Sequence, residues 1–394
     1  MASNHPSYTI LFSCPEPISA GAVRVSYQRN RFGRLPHAGT EQLIDEYWGE
    51  ALARNPRLFD GKKFRLHSAL VLENRSNDLD AESYQVQLNL SLTGYRDYIG
   101  THRRSAEEHT RLLEAGRQKK STGVSLTNKA SKGEKVSTAE DTHAHFSCAL
   151  GVEALLVTAD GKAVLLRRSN AVATNQGEYN GPSGHPEPAN VLKRVETTND
   201  GSGSISSTES KTVVVPPSGA DSLSTNMRME SDEDFDDLGD ANVKQEIFNS
   251  VIDETVAETG IPREALSDPL LLGAMRDARG KPDLLFSVFT TLSWRQVAAL
   301  YEGGDVASEN AETGHEETGD DASSNEERSN GDGKSSRKKQ RPMEAWESDN
   351  LLFLPITELL RQHRKQRDGK STNSTLHLTP VTQAALDCYS YAKK

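Results

Sequence analysis

Cysteine is scarce in this chain of 394 residues: Cys14, Cys148 and Cys388 stand far apart and are odd in number. That excludes a disulfide framework and a zinc knuckle, and fits a reducing compartment. Aromatic residues make up only 6% and apolar residues 35%, with a mean hydropathy of −0.65. Sizeable parts of so long a chain therefore contribute nothing to a core. Surplus positive charge is missing too, and a net charge of −11 argues against a nucleic-acid partner. No apolar run reaches the length of a membrane span, and the N-terminus lacks a basic start followed by an apolar stretch. The expectation is a soluble cytoplasmic protein with no nucleic-acid or membrane partner. One short basic cluster, Arg337-Lys338-Lys339-Gln340-Arg341, has the composition of a nuclear signal, although charge runs on loops are common.

What is present begins with room for two ordinary domains. Tyr8–Ser13 reads as a short buried strand ended by Cys14-Pro15, and Val23, Val25 and Tyr27 alternate as a second strand. Thr40 can cap a helix that turns Leu43, Ile44, Tyr47, Trp48 and Leu52 inward. Strand-like runs follow at Phe64–Ala69 and Tyr84–Leu90, the latter leading into a Gly-flanked turn at Tyr95-Arg96-Asp97. This order predicts a small α+β domain over residues 1–118. Residues 119–141 hold scarcely an aliphatic side chain and read as a linker. A second domain, 142–394, opens with strands at Gly151–Thr158 and Lys162–Arg168 around an Asp160-Gly161 turn. Two low-complexity stretches, 189–242 and 303–342, read as disordered insertions in it. Between and after them come buried strands at Leu270–Arg276, Leu284–Phe289 and Leu351–Pro355, and a last helix over Thr379–Tyr391.

The chemistry concentrates in Gln245–Gly260. Ile247, Phe248, Val251 and Ile252 form a helical stripe about 140° wide. Glu254 and Glu258 are four apart, so they point the same way at the margin of that stripe. Two carboxylates held against a core edge repel each other and are costly to desolvate; a divalent cation removes both problems. Taken alone, such a pair is usually just the wet side of a helix. What changes the balance lies upstream, in the turn Pro182-Ser183-Gly184-His185-Pro186-Glu187-Pro188.

Turn and helix together resemble a Nudix box, a Gly-containing loop opening a helix followed by R-E-U-x-E-E-x-G-U with U aliphatic. Here the second half reads Asp253-Glu254-Thr255-Val256-Ala257-Glu258-Thr259-Gly260-Ile261, with Asp253, Thr255 and Ala257 departing from the pattern. Several blocks read in order are similar to the UDP-glucose pyrophosphatase branch of the Nudix family: Phe64–Ser68, Leu92–Thr101, Leu166–Ser169, Gly184–Pro188 and Pro269–Gly273. The fold this resemblance implies is a Nudix α/β/α sandwich with a mixed sheet, beside the smaller N-terminal α+β domain. The activity it implies is Mg2+-dependent hydrolysis of UDP-glucose and UDP-galactose to UMP and hexose 1-phosphate. By the resemblance, Glu254 and Glu258 bind the metal, helped by the Ser183-Gly184 backbone, and Phe64, Arg65, Tyr95, Arg96, Arg168 and Asn180 contact the nucleotide sugar. Of Arg167 and Arg168, alternation lets one face the cleft, and Arg168 is favoured. Glu187 and Glu246 are candidates for the general base, each with a capping or solvent-facing role as its competitor. Two other functions stay open: a nucleotide-sugar-binding protein without turnover, motivated by Asp253 and Ala257, and a hydrolase of another nucleoside diphosphate derivative.

Overall fold

The computed structural model describes residues 4–5, 7–56, 58–73, 84–121, 142–170, 172, 175–199, 232–304, 347–369 and 376–392. In chain order the elements are β1 (Asn4–His5), β2 (Tyr8–Ile18), β3 (Val23–Tyr27), α1 (Arg29–Phe32), α2 (Ala38–Arg54), β4 (Lys62–Glu73), β5 (Tyr84–Gly94), α3 (Tyr95–His102) and α4 (Ala106–Ser121). Then follow β6 (Gly151–Val157), β7 (Lys162–Arg168), β8 (Tyr179–Asn180), β9 (Ser183–Gly184), α5 (Pro188–Asn199) and α6 (Asp240–Thr259). The chain continues through β10 (Leu270–Asp277), β11 (Pro282–Phe289), α7 (Trp294–Tyr301), β12 (Ser348–Pro355), α8 (Ile356–Arg367) and α9 (Pro380–Ala392).

The fold is mixed α/β around a mixed sheet. Its large sheet runs β1-β2-β10-β11-β6-β7-β12, with β8 on β7 and β9 on β6; only the β11–β6 pair is parallel. Strand alternation gives this sheet two apolar faces. Val152, Ala154 and Leu156 join Val243, Ile247, Phe248, Val251 and Ile252 of α6 in one core. Leu155, Val157, Ala163 and Leu165 meet Leu359 of α8 and Ala385, Leu386 and Tyr389 of α9 in the other. The helical stripe read from the sequence is thus the face that α6 buries, and Gly260 (φ +76°) stops the helix in a left-handed cap.

A small sheet, β3-β5-β4, packs its Val25, Tyr27, Phe64, Leu66, Leu88 and Leu90 into the same core as α6. Two features differ from the expected N-terminal unit. Its first strand, Tyr8–Ile18, runs past Cys14-Pro15 and pairs with β10 in the large sheet. Its Tyr95–His102 segment is a helix rather than a turn. Strand pairing between residues some 260 apart leaves no trace in local pattern, which is why the boundary misleads. Thr40 lies inside α2, whose N-cap is His37.

The expected insertion at 189–242 is narrower than its composition suggests. Residues 189–199 form most of α5, Phe235 is buried, and Asp236 pairs with Arg29 at 2.6 Å. Asp240 accepts the Tyr27 N–H at 2.7 Å, tying the start of α6 to the small sheet. Val213-Val214-Val215, the Arg337–Arg341 cluster and nearly all of 303–342 lie outside the described residues. No helix among the described residues is long and apolar enough to cross a membrane.

Candidate active site

The segment 183–194 lies along one row of α6 formed by Glu246, Ser250, Glu254 and Glu258, spaced four apart. At the C-terminal end of that row, the Ser183 N–H donates to Glu258 Oε2 at 3.1 Å, and Glu258 is 4% exposed. One turn earlier, Glu254 lies so close to Gly184 that any Cβ there would overlap its Oε1. A side chain at 184 would therefore have to displace the Glu254 carboxylate from its place against the loop. Two short β bridges, Val152 to Gly184 and Glu153 to Ser183, anchor the loop to the sheet. Asn180 Nδ2 donates to Ser183 Oγ at 2.9 Å and fixes the loop's other side.

At the other end of the row, Glu246 is 1% exposed and fully engaged. It accepts the Glu187 N–H (3.0 Å) and Asn190 Nδ2 (3.1 Å), and pairs with Arg194. The Glu187 N–H is an orphan donor at the start of α5, with Pro188 in the first helical turn. Glu246 is thus a helix clamp, which removes it as a candidate general base. The Glu187 side chain is exposed and pairs with Lys63 Nζ at 2.6 Å.

The departures from the Nudix pattern also have partners. Asp253 and Asn249 hold Arg263 at 2.6 and 3.0 Å on the exposed side of α6, and buried Thr255 returns its hydroxyl to the Val251 carbonyl.

Loop and helix border a cleft of about 2070 Å³ at the end of the large sheet, where the small sheet and α3 close over it. Arg168, Asn180, Ser183, Gly184, Glu187, Glu254 and Tyr95 all line it. Tyr95 stands edge-on to Trp48, with ring centroids 6.2 Å apart, and presents its ring beside Tyr98. Arg167 points away and approaches Asp349 at 3.6 Å.

Three expected substrate contacts fall elsewhere. Phe64 is wholly buried and packs edge-on against Tyr27, and Arg65 is 1% exposed. The Arg65 guanidinium donates to the carbonyls of Phe32, Phe146 and His143, so it ties the small sheet to the chain before β6. Arg96 pairs with Asp45, and its backbone N–H donates to Asp60. An arginine inside an alternating strand reads as a ligand contact when its carbonyl partners lie 30 to 80 residues away.

Residues that sequence patterning passed over also border the cleft or brace its loop. Lys63, Lys281 and Asp283 line it. Glu153, on the rung opposite Ser183, is 1% exposed, accepts Thr382 Oγ1 at 2.7 Å, and its Oε2 finds no partner among the described residues. Burial pushes its carboxyl up to about 8. A lone glutamate inside the apolar run Val152–Val157 was the available signal. His185 is held well below the usual imidazole range by burial and by the nearby Lys281 and Lys63 ammonium groups.

No cluster of three or more His, Cys, Asp or Glu side chains forms a metal cage among the described residues. Two carboxylates and a backbone turn nevertheless suit a hard divalent cation, which takes oxygen ligands and keeps open positions for substrate oxygens. The overlap of Glu254 with the Gly184 Cβ position puts a carboxylate against loop backbone, the arrangement such a donor set requires.

No family model matches the chain. It is 30% identical over 320 residues to a human uridine diphosphate glucose pyrophosphatase, NUDT22, covering 80% of this chain and 82% of that protein. The mouse protein of the same name is 30% identical over 318 residues, 80% of each chain. Nudix hydrolase 9 of Arabidopsis thaliana is 29% identical over 304 residues, 76% of this chain and 79% of that one. A loop wedged against two glutamates one helical turn apart, carried on a chain with relatives of this extent, makes the protein a member of the Nudix hydrolase family.

Proposed function

We propose that the protein hydrolyses the pyrophosphate bond of UDP-glucose and UDP-galactose, with Mg2+, to give UMP and hexose 1-phosphate. The observation that carries this is the contact of Glu254 and Glu258 with the Ser183-Gly184 turn, which lines the cleft together with Glu254. The names of the human and mouse relatives support the substrate class. Glu254, Glu258 and the Ser183-Gly184 backbone are the residues to hold Mg2+. When bound there, the cation neutralises the diphosphate and favours attack by water on phosphorus.

The chain's own groups do the rest. Arg168 and Lys63 offer charge-assisted hydrogen bonds to phosphate oxygens. Tyr95 supplies a flat face for the uracil. Asn180 keeps Ser183 oriented through its hydroxyl. Glu187, half-exposed at the cleft and paired with Lys63, is the carboxylate we assign to take a proton from water.

The test is purified protein with Mg2+ and a panel of nucleotide sugars, following UMP release. Turnover of UDP-hexoses with none of ADP-ribose is the expected result. Tight UDP-glucose binding without UMP would show a binding protein instead, and turnover confined to ADP-ribose would move the substrate class.

A further inference from the structure

The cleft has a second charged wall that the hydrolytic reading leaves unused. Lys281 and Asp283 pair at 2.5 Å with side chains only 17% and 11% exposed, and both line the cleft. The β10–β11 turn that carries them is fixed by Asp277, which accepts the N–H groups of Arg279 (2.9 Å) and Lys281 (2.8 Å). The pair lies over the bare Cα of Gly151. Any Cβ at Gly151, the rung opposite Asp283, would overlap both Asp283 Oδ1 and Lys281 Nζ.

An ion pair buried this far gains little over an apolar pair, because desolvating two charges offsets their attraction. Nor is the pair saturated. Asp283 spends only Oδ1, and among the described residues its Oδ2 and two of the Lys281 N–H groups take no hydrogen bond. Arg103, on the same wall, buries an Nε with no partner. Tyr98 adds an aromatic face beside them, stacked at a tilt between Tyr95 and His102. Donors and acceptors are thus interleaved beside a ring, which suits neither a bare phosphate nor a flat base. It suits a vicinal diol, whose hydroxyls each donate one hydrogen bond and accept others.

Register sets the distance. Asp283 pairs with Gly151 on β6, and the next residue of β6, Val152, pairs with Gly184. Two strand spacings, about 10 Å, separate the backbone of Asp283 from the loop that meets Glu254. Alternation turns Asp283 to the sheet face opposite Glu254, so the two share the cleft only where it wraps around the strand ends. The spacing is beyond a phosphate held at the loop and within reach of the ring it esterifies.

We propose that Lys281, Asp283, Arg103 and Tyr98 form a sugar-hydroxyl subsite of the cleft, reading a vicinal diol next to the diphosphate. The assignment rests on the cleft being the nucleotide-sugar site proposed above. Asp283 accepts from two adjacent hydroxyls, and Lys281 and Arg103 donate to them.

The experiment measures binding separately from turnover. Calorimetry in Mg2+ compares glucose 1-phosphate, UMP and its 2′-deoxy analogue on wild type, Asp283→Asn and Arg103→Gln. The arginine variant leaves the Lys281–Asp283 pair in place and loses only a bond to Tyr98, and melting curves of both variants are recorded alongside. If the diol is the hexose, both variants weaken glucose 1-phosphate about tenfold to a hundredfold and leave UMP unchanged. If it is the ribose, UMP weakens by that factor, and the deoxy analogue already binds poorly to wild type. Variants that melt like wild type and bind all three ligands equally well overturn the subsite. Wild type that releases no UMP from UDP-glucose, yet shows either binding pattern, overturns the hydrolytic reading and leaves the subsite standing.

Discussion

Two halves of one helix row face the same loop and do opposite work. Glu246, in the N-terminal half of α6, meets a backbone N–H, a side-chain amide and a guanidinium, and so has every reason to stay where it is. Glu258 and Glu254, about three and two turns further on, meet the Ser183 N–H and the open side of Gly184. All three are glutamates on a single face, and spacing alone does not separate them. Their partners do: a saturated carboxylate braces a fold, whereas a carboxylate pressed against loop backbone beside a cleft is positioned to share a cation.

The sharpest way to break that contrast is Glu258→Gln. It keeps the shape and removes the charge, so hydrolysis of UDP-glucose should fall by about a hundredfold or more while the melting temperature stays put. A large drop in melting temperature with activity per folded molecule intact would make Glu258 a brace like Glu246.

The reciprocal change is Glu246→Ala. Removing the buried carboxylate takes the acceptor from two donors, the Glu187 N–H and Asn190 Nδ2, at a cost of about 1–3 kcal/mol. Denaturant unfolding should show that loss, and KM for substrate in the folded fraction should stay near wild type. A stable variant with abolished turnover would put Glu246 in the chemistry.

Glu153 tests the same contrast from the sheet side of the loop. Its carboxyl is raised in the folded chain, so the unfolded chain binds fewer protons between about pH 4.5 and 8. Its contribution to stability is therefore whole below that window and is lost as pH rises through it, on the order of 3 kcal/mol by pH 7. With chelator present, Glu153→Gln should flatten that decline. An unchanged slope would mean that Glu153 is ionised in the folded protein.

Local pattern carried the parts of this site that are local. The stripe of α6, its stop at Gly260 and the shared direction of Glu254 and Glu258 follow from spacing within some 16 residues, whereas Gly184 entered through the family resemblance. The blocks around Phe64-Arg65 and Tyr95-Arg96 carried the family resemblance but misassigned individual residues. Phe64 is buried against Tyr27 of β3, earlier in the chain, and Arg65 reaches the Phe146 and His143 carbonyls because β4 pairs with chain about 80 residues later. The placement of Tyr8–Ile18 beside β10 and the pairing of Gly151 with Asp283 are likewise products of sheet order. Composition, in turn, overstated the insertion, because it averages over single anchors such as Phe235.

The smallest effect expected comes from that insertion, and its edges decide the outcome. Replacing 200–231 by a short Gly-Ser linker should leave kcat/KM for UDP-glucose within about twofold, since α5 and the Phe235–Asp240 anchor stay. Shortening a connection changes its closure entropy by only about 0.6 kcal/mol per halving of length. A cut over 195–238 should behave differently. It takes away Phe235, whose carbonyl accepts the Tyr27 hydroxyl at 2.7 Å, and Asp236, which holds Arg29. Emptying one buried phenylalanine site alone costs about 3–5 kcal/mol. Thermal melts of the two deletions should therefore separate clearly, with the narrow one near wild type. If the narrow deletion folds but loses hydrolysis, residues 200–231 act on the cleft itself, and the loop's hold on α6 does not suffice for turnover.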